Sequence, residues 1–542
     1  MAANIWQVNN TSDSKKSDNW LFTILASNRG LTTKAQIDEF INPQLEHILN
    51  VKLTDTKRAV KRIEDAIANM EKIVVYSDYD ADGLCATAIM WETLYDLGAK
   101  VLPHVPHRIK EGYGLSIATI DNLLRENTNL IITVDHGVTA IEQVEHAKKL
   151  GIDVIITDHH VIGEKSPQPY ALVHSLDLCG AGVSWRLCWE IVKYTKPSYK
   201  EALLEKLELA ALATIADLVP LLAANRAIVK IGLEKIAKTK RPGIKALIKS
   251  AAISNNIGTY EIGHILAPRI NAMGRIEHGL DSLRLLCAKS QKKADQLAAL
   301  LAKTNTRRQD LTTSAIDHAL KLVQEDHLVG VIAHESWHEG IIGLVASRLV
   351  ENYNRPMVVI ARGEIYSKGS ARSIPGFNII EAIRASSEFL VDAGGHPMAA
   401  GFTIETRHIE AFTKKLNTYA ASRLSEENFV KRISVECELE TVDINRKTLG
   451  IIKLFEPYGM ANREPLFLTK NMLVEDIRGV GALNKHLKLQ VNGFGAIGFN
   501  MGELRSELRP RYSVDLVYTL AEDHYNGNGQ IQLKIKDLTI NN

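Results

Sequence analysis

The stretch KIVVYSDYDADGLCAT, residues 72–87, decides how the first half of the chain is interpreted. An apolar run that predicts a buried strand leads directly into Asp78, Asp80 and Asp82 at alternate positions, followed by Gly83. Carboxylates this close repel one another unless a cation neutralises them, and a hard divalent cation such as Mg²⁺ or Mn²⁺ is the usual partner. An Asp-rich turn explains the same residues equally well. The choice between a turn and a metal site therefore depends on the rest of the chain.

Composition indicates a globular chain of several domains. At 542 residues the chain is too long for one hydrophobic core, and three or four domains are expected. It is 45% hydrophobic and 24% charged, which excludes a disordered or fibrous protein. Lys and Arg total 65 against 63 acidic residues, so the net charge of +2 gives no overall attraction to nucleic acid. Binding to a polyanion must come from local clusters.

Cysteine usage and hydropathy indicate the compartment. Five scattered cysteines without a CxxC pair predict neither a zinc knuckle nor a disulfide framework, which suits a reducing cytosol. The first residues, MAANIWQVNNTSDSKK, lack the basic start and apolar core of a signal peptide. The most apolar long run, residues 208–224, contains Glu208 and Asp217 and is too polar to span a membrane. We therefore expect a cytoplasmic protein without a membrane segment.

Apolar strands and helices alternate from residue 72 to about residue 160, which predicts an α/β fold with a parallel sheet covered on both faces. Three of the strands end in acids or imidazoles: 73–77 at Asp78, 130–134 at Asp135-His136, and 153–157 at Asp158-His159-His160. In open α/β sheets, ligands bind just beyond the carboxyl ends of the strands. These side chains are therefore expected to meet at one edge of the sheet.

Two helical stretches follow. Residues 203–222 predict a helix whose end places Asp217 among apolar neighbours, where either a metal, a helix cap or a salt bridge would partner the carboxylate. Residues 280–329 contain neither Gly nor Pro and keep close to helical spacing. They predict a connecting helix of about 35 residues, roughly 50 Å long, between two lobes.

Residues 328–424 predict a second α/β unit with two polar loops. The loop from Ser367 to Ser373 carries Lys368, Ser370 and Arg372, which suit a phosphate through hydroxyl and guanidinium contacts, although an ordinary surface turn explains it too. The Gly394-Gly395-His396 loop suits close approach of the backbone to a ligand.

The chemistry of the sequence changes after about residue 430. Segments such as KHLKLQVNG and YSVDLVYTLAED alternate apolar and polar residues between turn residues, which predicts an antiparallel barrel or sandwich. About five strands with interleaved Lys, His and aromatic residues suit an OB-fold that binds single-stranded nucleic acid. A small β-barrel of another kind is the alternative.

Six motifs together resemble those of a known family. The series SDYDADG (77–83), TVDHG (133–137), TDHH (157–160) and ADLVP (216–220) resembles the four motifs of the DHH phosphoesterase superfamily, while SKGSARS (367–373) and GGHPMAAGF (394–402) resemble its DHH-associated domain. With HRIKEGYGL (107–115), APRINAMGR (267–275) and the C-terminal barrel, the chain is similar to the branch of 5′→3′ exonucleases specific for single-stranded DNA. The resemblance runs from about residue 20 to the end.

The resemblance implies two α/β lobes joined by a long helix, plus an OB-like barrel. The implied domains are an N-terminal cap (1–50), the DHH catalytic domain (51–225), a helical region with the connecting helix (226–327), the DHH-associated domain (328–428) and an OB-fold-like DNA-binding domain (429–542).

The resemblance also implies roles for individual residues. Two Mn²⁺ or Mg²⁺ ions would be held by Asp80, Asp82, Asp135, His159 and Asp217, with Asp135 as the bridge. Asp78 and Asp158 would support them, Asp158 by orienting the ring of His159, and His160 would hydrogen-bond a non-bridging phosphate oxygen. Arg108, Ser370 and Arg372 would bind the terminal 5′-phosphate. Arg269, Asn271, Arg275, Asn305, Arg308 and His396 would contact DNA or support the site.

Activity and partners follow as expectations: hydrolysis of single-stranded DNA to 5′-mononucleotides in repair and recombination, by a monomer that works with a single-strand binding protein and a helicase. The alternatives are a DHH enzyme for short oligonucleotides or cyclic dinucleotides, and a non-catalytic scaffold that binds single-stranded DNA. The presence of every expected carboxylate argues against the scaffold. The chain departs from the family pattern at VHSLDLCGAGVSW, 173–185, where a shorter loop alters the wall of the site near His174.

Overall fold

A computed structural model describes residues 4–10, 19–108, 111–112, 114–254, 257–324, 327–523 and 529–541. The chain divides into two compact units. The α/β unit comprises Lys52–Asp217 and Gly232–Lys431, and the barrel unit comprises Asn4–Val51, Leu218–Ile231 and Arg432–Asn542. The predicted five-part division into domains stays a prediction.

The strands of the described residues are β1 (Ile5–Asn10), β2 (Lys72–Ser77), β3 (Lys100–His104), β4 (Leu130–Val134), β5 (Asp153–Asp158), β6 (Ala171–His174), β7 (Gly330–His334), β8 (Met357–Ala361), β9 (Tyr366–Arg372), β10 (Leu390–His396), β11 (Ala399–Glu405), β12 (Arg432–Glu438), β13 (Phe467–Val480), β14 (His486–Val491), β15 (Phe494–Gly498), β16 (Ser513–Glu522) and β17 (Ile531–Asn541).

The α-helices of the same residues are α1 (Trp20–Asn28), α2 (Lys34–Ile41), α3 (Leu45–Leu49), α4 (Thr56–Ala68), α5 (Ala81–Asp96), α6 (Ile117–Arg125), α7 (Ile141–Lys149), α8 (Gly180–Thr195), α9 (Lys200–Glu205), α10 (Leu207–Ala216), α11 (Ala223–Ala237), α12 (Pro242–Ser250), α13 (Ala267–Ile276), α14 (Leu280–Leu286), α15 (Gln291–Ala319), α16 (Ile342–Tyr353), α17 (Ile379–Arg384), α18 (Ile409–Ala421) and α19 (Arg446–Leu454). Residues Glu261–Leu266 form a π-helical turn before α13.

The first sheet of the α/β unit is parallel, in the order β3-β2-β4-β5-β6. Its central strands β2 and β4 are buried almost throughout, because helices cover both faces and favour apolar residues such as Val, Ile and Leu. The α/β fold with a parallel sheet is confirmed. Since all five strands run the same way, their carboxyl ends meet at one edge.

The second sheet has the order β10-β11-β9-β8-β7 and is antiparallel except between β7 and β8. The prediction of two polar loops in this region was wrong. Ser367–Ser373 lies almost wholly in β9, and Gly394-Gly395-His396 ends β10. Small and polar residues form strands here because backbone pairing with β11 holds both segments. Alternation along β9 turns Lys368, Ser370 and Arg372 to one face.

The connecting helix is shorter than predicted. α15 has 29 residues, and α14 is a separate helix that ends at Leu286. The break occurs because the Ser290 side chain accepts a hydrogen bond from the Lys293 N–H and caps the start of α15. The stretch 203–222 likewise divides, and Asp217 directly follows the end of α10.

The barrel unit has one sheet in the order β1-β12-β13-β14-β15-β17-β16, closed by pairing of β13 with β16. Its core joins Leu21, Leu25 and Phe40 from the N-terminal helices to Phe455 of the C-terminal segment. The Arg226 side chain is fully buried and donates hydrogen bonds to four backbone carbonyls, those of Phe40, Phe455, Glu456 and Pro457. Three separate segments of the chain therefore share one core.

In the part of the chain that the structure describes, every helix is too short or too polar to cross a membrane.

Candidate metal centre and nucleotide-binding cleft

The acids at the predicted strand ends lie at the same edge of the first sheet. Asp78 follows β2, Asp135 follows β4, and Asp158 ends β5. Asp80 caps α5 by accepting hydrogen bonds from the N–H groups of Asp82 and Gly83, at 2.9 and 3.1 Å. The Asp-rich turn that the sequence suggested is therefore present, and its carboxylates are part of a larger cluster.

Ligand atoms from all of the predicted metal-binding residues converge. Three groups place one nitrogen or oxygen per residue within 4.8 Å of one another: Asp82, His159 and Asp217; Asp78, Asp80 and Asp135; and Asp135, His159 and His160. Nε2 of His159 lies 3.2 Å from Asp135 Oδ1, 3.6 Å from Asp217 Oδ2 and 3.8 Å from Asp82 Oδ2. Asp135 and His159 each belong to two of the groups, and the role of Asp135 as the bridge stays a prediction. Asp78 is as well placed as Asp80, although it was predicted only to support the ligands.

Charge repulsion and burial shift the titration of this cluster. Burial and the neighbouring carboxylates raise the pKa of Asp82 to about 7 and that of Asp217 to about 8. The same two causes raise the pKa of Asp78 and Asp135 well above the usual range. Burial lowers the pKa of His159 to about 4, which leaves its imidazole neutral and able to bind a metal. The cluster therefore gathers carboxylates around a neutral ring.

The donor set fits a pair of hard divalent cations. Asp135 Oδ1 and His159 Nε2 are buried and have no hydrogen-bond partner within the described residues. Buried polar atoms without partners are rare and point to a missing ligand. Asp135 also has a positive φ of 66°, a conformation that costs energy and concentrates at functional sites. Carboxylates with one imidazole suit Mn²⁺ or Mg²⁺ better than a metal that prefers thiolates.

Asp158 contacts a different histidine from the one predicted. Its Oδ1 accepts from the backbone N–H groups of His159 and His160 and lies 2.8 Å from Nδ1 of His160. The prediction that it orients the His159 ring was therefore wrong. A carboxylate two residues before an imidazole reaches that ring by a local turn, whereas the His159 ring points to the acids of the other strands. His174 Nε2 in turn contacts the His160 carbonyl at 2.8 Å.

A cleft with a cavity volume of about 700 Å³ adjoins the acids. Residues from the first sheet, from α13, from the start of α16 and from the second sheet line it, all within the α/β unit. Predicted site residues among them are Asp78, Asp80, Arg108, His160, Asn271, Arg275, Ser370, Arg372 and His396. Of the five predicted metal ligands, Asp80 lines the cleft together with the predicted phosphate-binding residues, whereas Asp82, Asp135, His159 and Asp217 are not among its described lining residues.

The predicted phosphate-binding residues meet at one wall of the cleft. Arg372 Nη1 donates to Ser370 Oγ at 3.2 Å, and Arg108 stacks over the ring of Tyr79 at 5.0 Å. The start of α16 adjoins them, since a Cβ on Gly343 would lie 3.0 Å from both Ser370 Oγ and Arg372 Nη2. The first N–H groups of a helix have no partner inside the helix and favour an anion.

Guanidinium groups crowd this wall. Burial lowers the pKa of Arg275 to about 10, and the nearby charges of Arg108, Arg308 and Arg372 add to the effect. Burial, followed by Arg108, also lowers the pKa of Arg372. Like charges are assembled at a cost that a bound phosphate would offset.

The remaining predicted DNA contacts divide into two sets. Asn271 Oδ1 accepts from the Ala81 N–H at 2.7 Å, and the ring of His396 stacks parallel to that of His160 at 6.3 Å. Arg269, Asn305 and Arg308 are not among the described residues that line the cleft. Arg308 Nε instead donates to Asn305 Oδ1, and Arg269 Nη1 donates to the Ile265 carbonyl.

Sequence reasoning missed other residues of the cleft, notably Tyr79, Glu339, Asp392 and Thr403. Thr403 pairs with Lys368 across β9 and β11 and accepts from its Nζ at 2.7 Å, a relationship that the sequence alone does not show. Nothing in the sequence marks Glu339, which reaches the cleft from the loop before α16.

Family models match three parts of the chain: the DHH family N-terminal domain at residues 72–215, the DHHA1 domain at 324–422 and the RecJ OB domain at 435–537. The fold and the acid cluster thus define a protein of the DHH family with a DHHA1 domain and an OB domain.

Similar proteins of known activity show which branch of the DHH family the chain belongs to. The single-stranded-DNA-specific exonuclease RecJ of Escherichia coli is 30% identical over 98% of both chains, and that of Thermus thermophilus is 34% identical over 90% of this chain and 71% of its own. The Bacillus subtilis RecJ is 37% identical over 89% of this chain, which spans 63% of its length. The chain belongs to the RecJ family.

Solved structures of RecJ have the same fold as this chain. The crystal structure of RecJ from Thermus thermophilus in complex with Mn²⁺ matches 99% of this chain and 80% of its own with a TM-score of 0.86 at 29% identity. The complex of RecJ from the same organism with Mg²⁺ matches 99% of this chain and 79% of its own with a TM-score of 0.80.

Proposed function

We propose that this protein is a metal-dependent exonuclease that removes 5′-mononucleotides from single-stranded DNA in the 5′→3′ direction. One observation carries the proposal: Asp78, Asp80 and His160 of the acid–histidine cluster line the same cleft as Arg108, Ser370 and Arg372. A strand end held at the wall by its 5′-phosphate would present the next phosphodiester to the acids.

The residues that would hold two Mn²⁺ or Mg²⁺ ions are Asp80, Asp82, Asp135, His159 and Asp217. Bound divalent cations activate the attacking water and stabilise the departing 3′-oxygen. The supporting facts are the converging ligand atoms, the unpartnered Asp135 Oδ1 and His159 Nε2 in the described residues, and the Mn²⁺- and Mg²⁺-bound relatives.

His160 is placed to act on the phosphate itself. Burial lowers its pKa, but the hydrogen bond to Asp158 and the charge of that acid outweigh the effect and raise the pKa to about 9. The ring is thus protonated near neutral pH, and Asp158 fixes Nδ1 so that Nε2 is left to donate. A donor aimed at a non-bridging oxygen stabilises the charge that develops on the phosphoryl group.

The Arg108–Ser370–Arg372 wall explains why the enzyme would start at the 5′ end of a strand. Ser370 offers a hydroxyl, Arg372 and Arg108 offer guanidinium groups, and the start of α16 offers backbone N–H groups to one terminal phosphate. A strand that ends in a 3′-hydroxyl has no terminal phosphate there, so that end gains none of these contacts. We assign the OB domain of the barrel unit to binding the rest of the single strand.

End-labelled oligonucleotides test the proposal. We expect stepwise release of mononucleotides from the 5′ end of a single strand with Mn²⁺ or Mg²⁺, faster with a 5′-phosphate than with a 5′-hydroxyl, and no release from a blocked 5′ end. Release from the 3′ end, or hydrolysis confined to dinucleotides and cyclic dinucleotides, would contradict the proposal and favour the small-substrate alternative.

The cellular setting is proposed from the activity. A nuclease of this kind acts in DNA repair and recombination in the cytoplasm, on strands that a helicase separates and a single-strand binding protein covers. We propose that it does so as a monomer. Sedimentation of the full chain and co-purification with each protein in the presence of nuclease-resistant DNA test these points.

A further inference from the structure

The start of helix α8 meets two of the proposed metal ligands. The N–H of Gly180 donates to Asp82 Oδ2 at 2.8 Å, and the N–H of Ala181 donates to Asp82 Oδ1 at 2.6 Å. Each oxygen of this buried carboxylate therefore has one fixed donor.

Because Gly180 has no side chain, it also leaves space for Asp135, a second proposed metal ligand. A Cβ at this position would lie 2.5 Å from both Cβ and Oδ1 of Asp135, closer than non-bonded atoms approach. The glycine is thus required by close packing. One residue donates to Asp82 and at the same time sets the closest approach of Asp135.

The residue that caps α8 completes the arrangement. Cys179 Sγ accepts from the Gly182 N–H at 3.4 Å and lies 3.4 Å from Thr214 Oγ1. A cysteine at a cap is unusual, since Ser, Thr, Asp and Asn are the preferred residues. Here the side chain connects the start of α8 to Thr214 in α10, three residues before the proposed ligand Asp217.

We propose that Cys179, Gly180 and Ala181 are positioning residues that hold Asp82 and Asp135 in the geometry for binding divalent cations, so that the start of α8 sets the affinity of the site. The unpartnered Asp135 Oδ1 and His159 Nε2, both buried among the described residues, show independently that this cluster is arranged for a ligand. The inference rests on the proposed metal-dependent function.

Gly180→Ala tests the packing part. Alanine favours a helix over glycine by about 1 kcal/mol, so the substitution does not weaken α8 itself. We expect the dissociation constant for Mn²⁺, measured on the full chain by the electron paramagnetic resonance signal of free Mn²⁺, to rise at least about tenfold, as for other residues that orient metal ligands. The matched control is Gly450→Ala in α19, where a Cβ meets nothing within 4 Å and Mn²⁺ binding should not change.

Cys179 supplies the second test. Cys179→Val removes the hydrogen bonds of the thiol but keeps a similar volume, and we expect Mn²⁺ binding to weaken about tenfold. Cys179→Ser restores an acceptor for the Gly182 N–H and a hydrogen-bond partner for Thr214, and we expect it to bind Mn²⁺ within about threefold of wild type. Rescue by Ser but not Val distinguishes positioning from packing.

The outcomes separate this inference from the proposed function. Wild-type protein that binds no Mn²⁺ and releases no nucleotides would overturn the proposed function. Wild-type protein that binds and cleaves, together with unchanged affinity in Gly180→Ala and equal affinity in the two Cys179 variants, would overturn only the positioning role. If Gly180→Ala does not fold, the Cys179 pair alone decides.

Discussion

Nε2 of His159 and Oδ1 of Asp135 face each other at 3.2 Å, both buried and both without a hydrogen-bond partner in the described residues. Two ligands at right angles around an ion, each about 2.0–2.1 Å from it, lie roughly 3 Å apart. The pair already has the spacing that an octahedral cation requires. The side chains of the metal centre are therefore pre-arranged, and the ion relieves repulsion that the fold has imposed.

Metal should stabilise the protein measurably. A ligand that binds only the folded state adds about 2.7 kcal/mol when present at about 100 times its dissociation constant. We expect Mn²⁺ to raise the thermal midpoint of the α/β unit by several degrees and EDTA to reverse the change, as measured by scanning calorimetry. An unchanged midpoint would mean that the acids bind no cation.

Asp135→Asn should separate stability from activity. Burial and the nearby acids raise the pKa of Asp135, so a neutral side chain of the same shape relieves repulsion in the metal-free protein. We expect a higher thermal midpoint than wild type in EDTA, no further gain with Mn²⁺, and loss of nuclease activity by at least about 100-fold. Near wild-type cleavage by this variant with Mn²⁺ would contradict the role of Asp135 as a ligand. Asp65→Asn on the outer side of α4 is the control.

Arg372→Ala should change end preference. Its guanidinium lies beside Ser370 and the start of α16, and a charge-assisted contact to phosphate contributes about 1.5–3 kcal/mol. We expect the ratio of kcat/KM for 5′-phosphate over 5′-hydroxyl ends to fall about tenfold or more. Equal loss on both ends would point to a general role in the site. Arg407→Ala, an exposed arginine just beyond β11, should leave the ratio unchanged.

Arg226→Lys should destabilise the barrel unit. The guanidinium donates to four carbonyls from two other stretches of chain, and an ammonium group has too few donors to replace it. Buried carbonyls left without partners cost about 1–3 kcal/mol each. We expect a loss of roughly 3 kcal/mol in urea unfolding and faster proteolysis within residues 19–51. Arg505→Lys, an exposed residue of the same unit, is the control.

Glu92→Gln should lower stability in a pH-dependent way. Burial raises the pKa of Glu92, but the paired Arg241 at 2.7 Å and Lys206 outweigh it, and the pKa is lowered. A lowered carboxyl pKa contributes stability above the unfolded value of about 4.3, and that stability is lost as the pH falls through the folded value. The urea midpoint of the variant should fall furthest behind wild type near neutral pH and converge with it as the pH falls below the folded pKa of Glu92. Glu145→Gln, on the exposed side of α7, should show little difference at any pH.

The strand ends were predictable because two features of the sequence coincide at each of them. An apolar run indicates the strand, and the polar residues that follow it indicate where the strand ends. Parallel strands then bring Asp78, Asp135 and Asp158 together without further information. The contact of Asp158 with His160 was not predictable in the same way. It depends on the direction of one turn, whereas the sequence shows only that two imidazoles follow the acid.

Small residues misled the interpretation of the second sheet. Glycine and serine are typical of loops, so Ser367–Ser373 and Gly394–His396 were predicted as loops, yet pairing with β11 makes both of them strands. Gly369 is required there because a Cβ would lie 2.1 Å from the Phe402 ring. A single residue cannot show that its neighbour across the sheet is a phenylalanine. For the same reason, the sequence did not reveal that Glu339 lines the cleft or that α14 ends as a separate helix before α15.

The barrel unit has a consequence for how the protein is made. Helices α1–α3 leave the ribosome ~380 residues before the strands whose core they share, which at roughly 5–20 residues per second is a delay of about 20–80 s. During that time Leu21, Leu25 and Phe40 lack their final partners. We expect nascent chains of this protein to depend on chaperones that shield apolar segments, and to be most open to proteases near their N-terminus until synthesis ends.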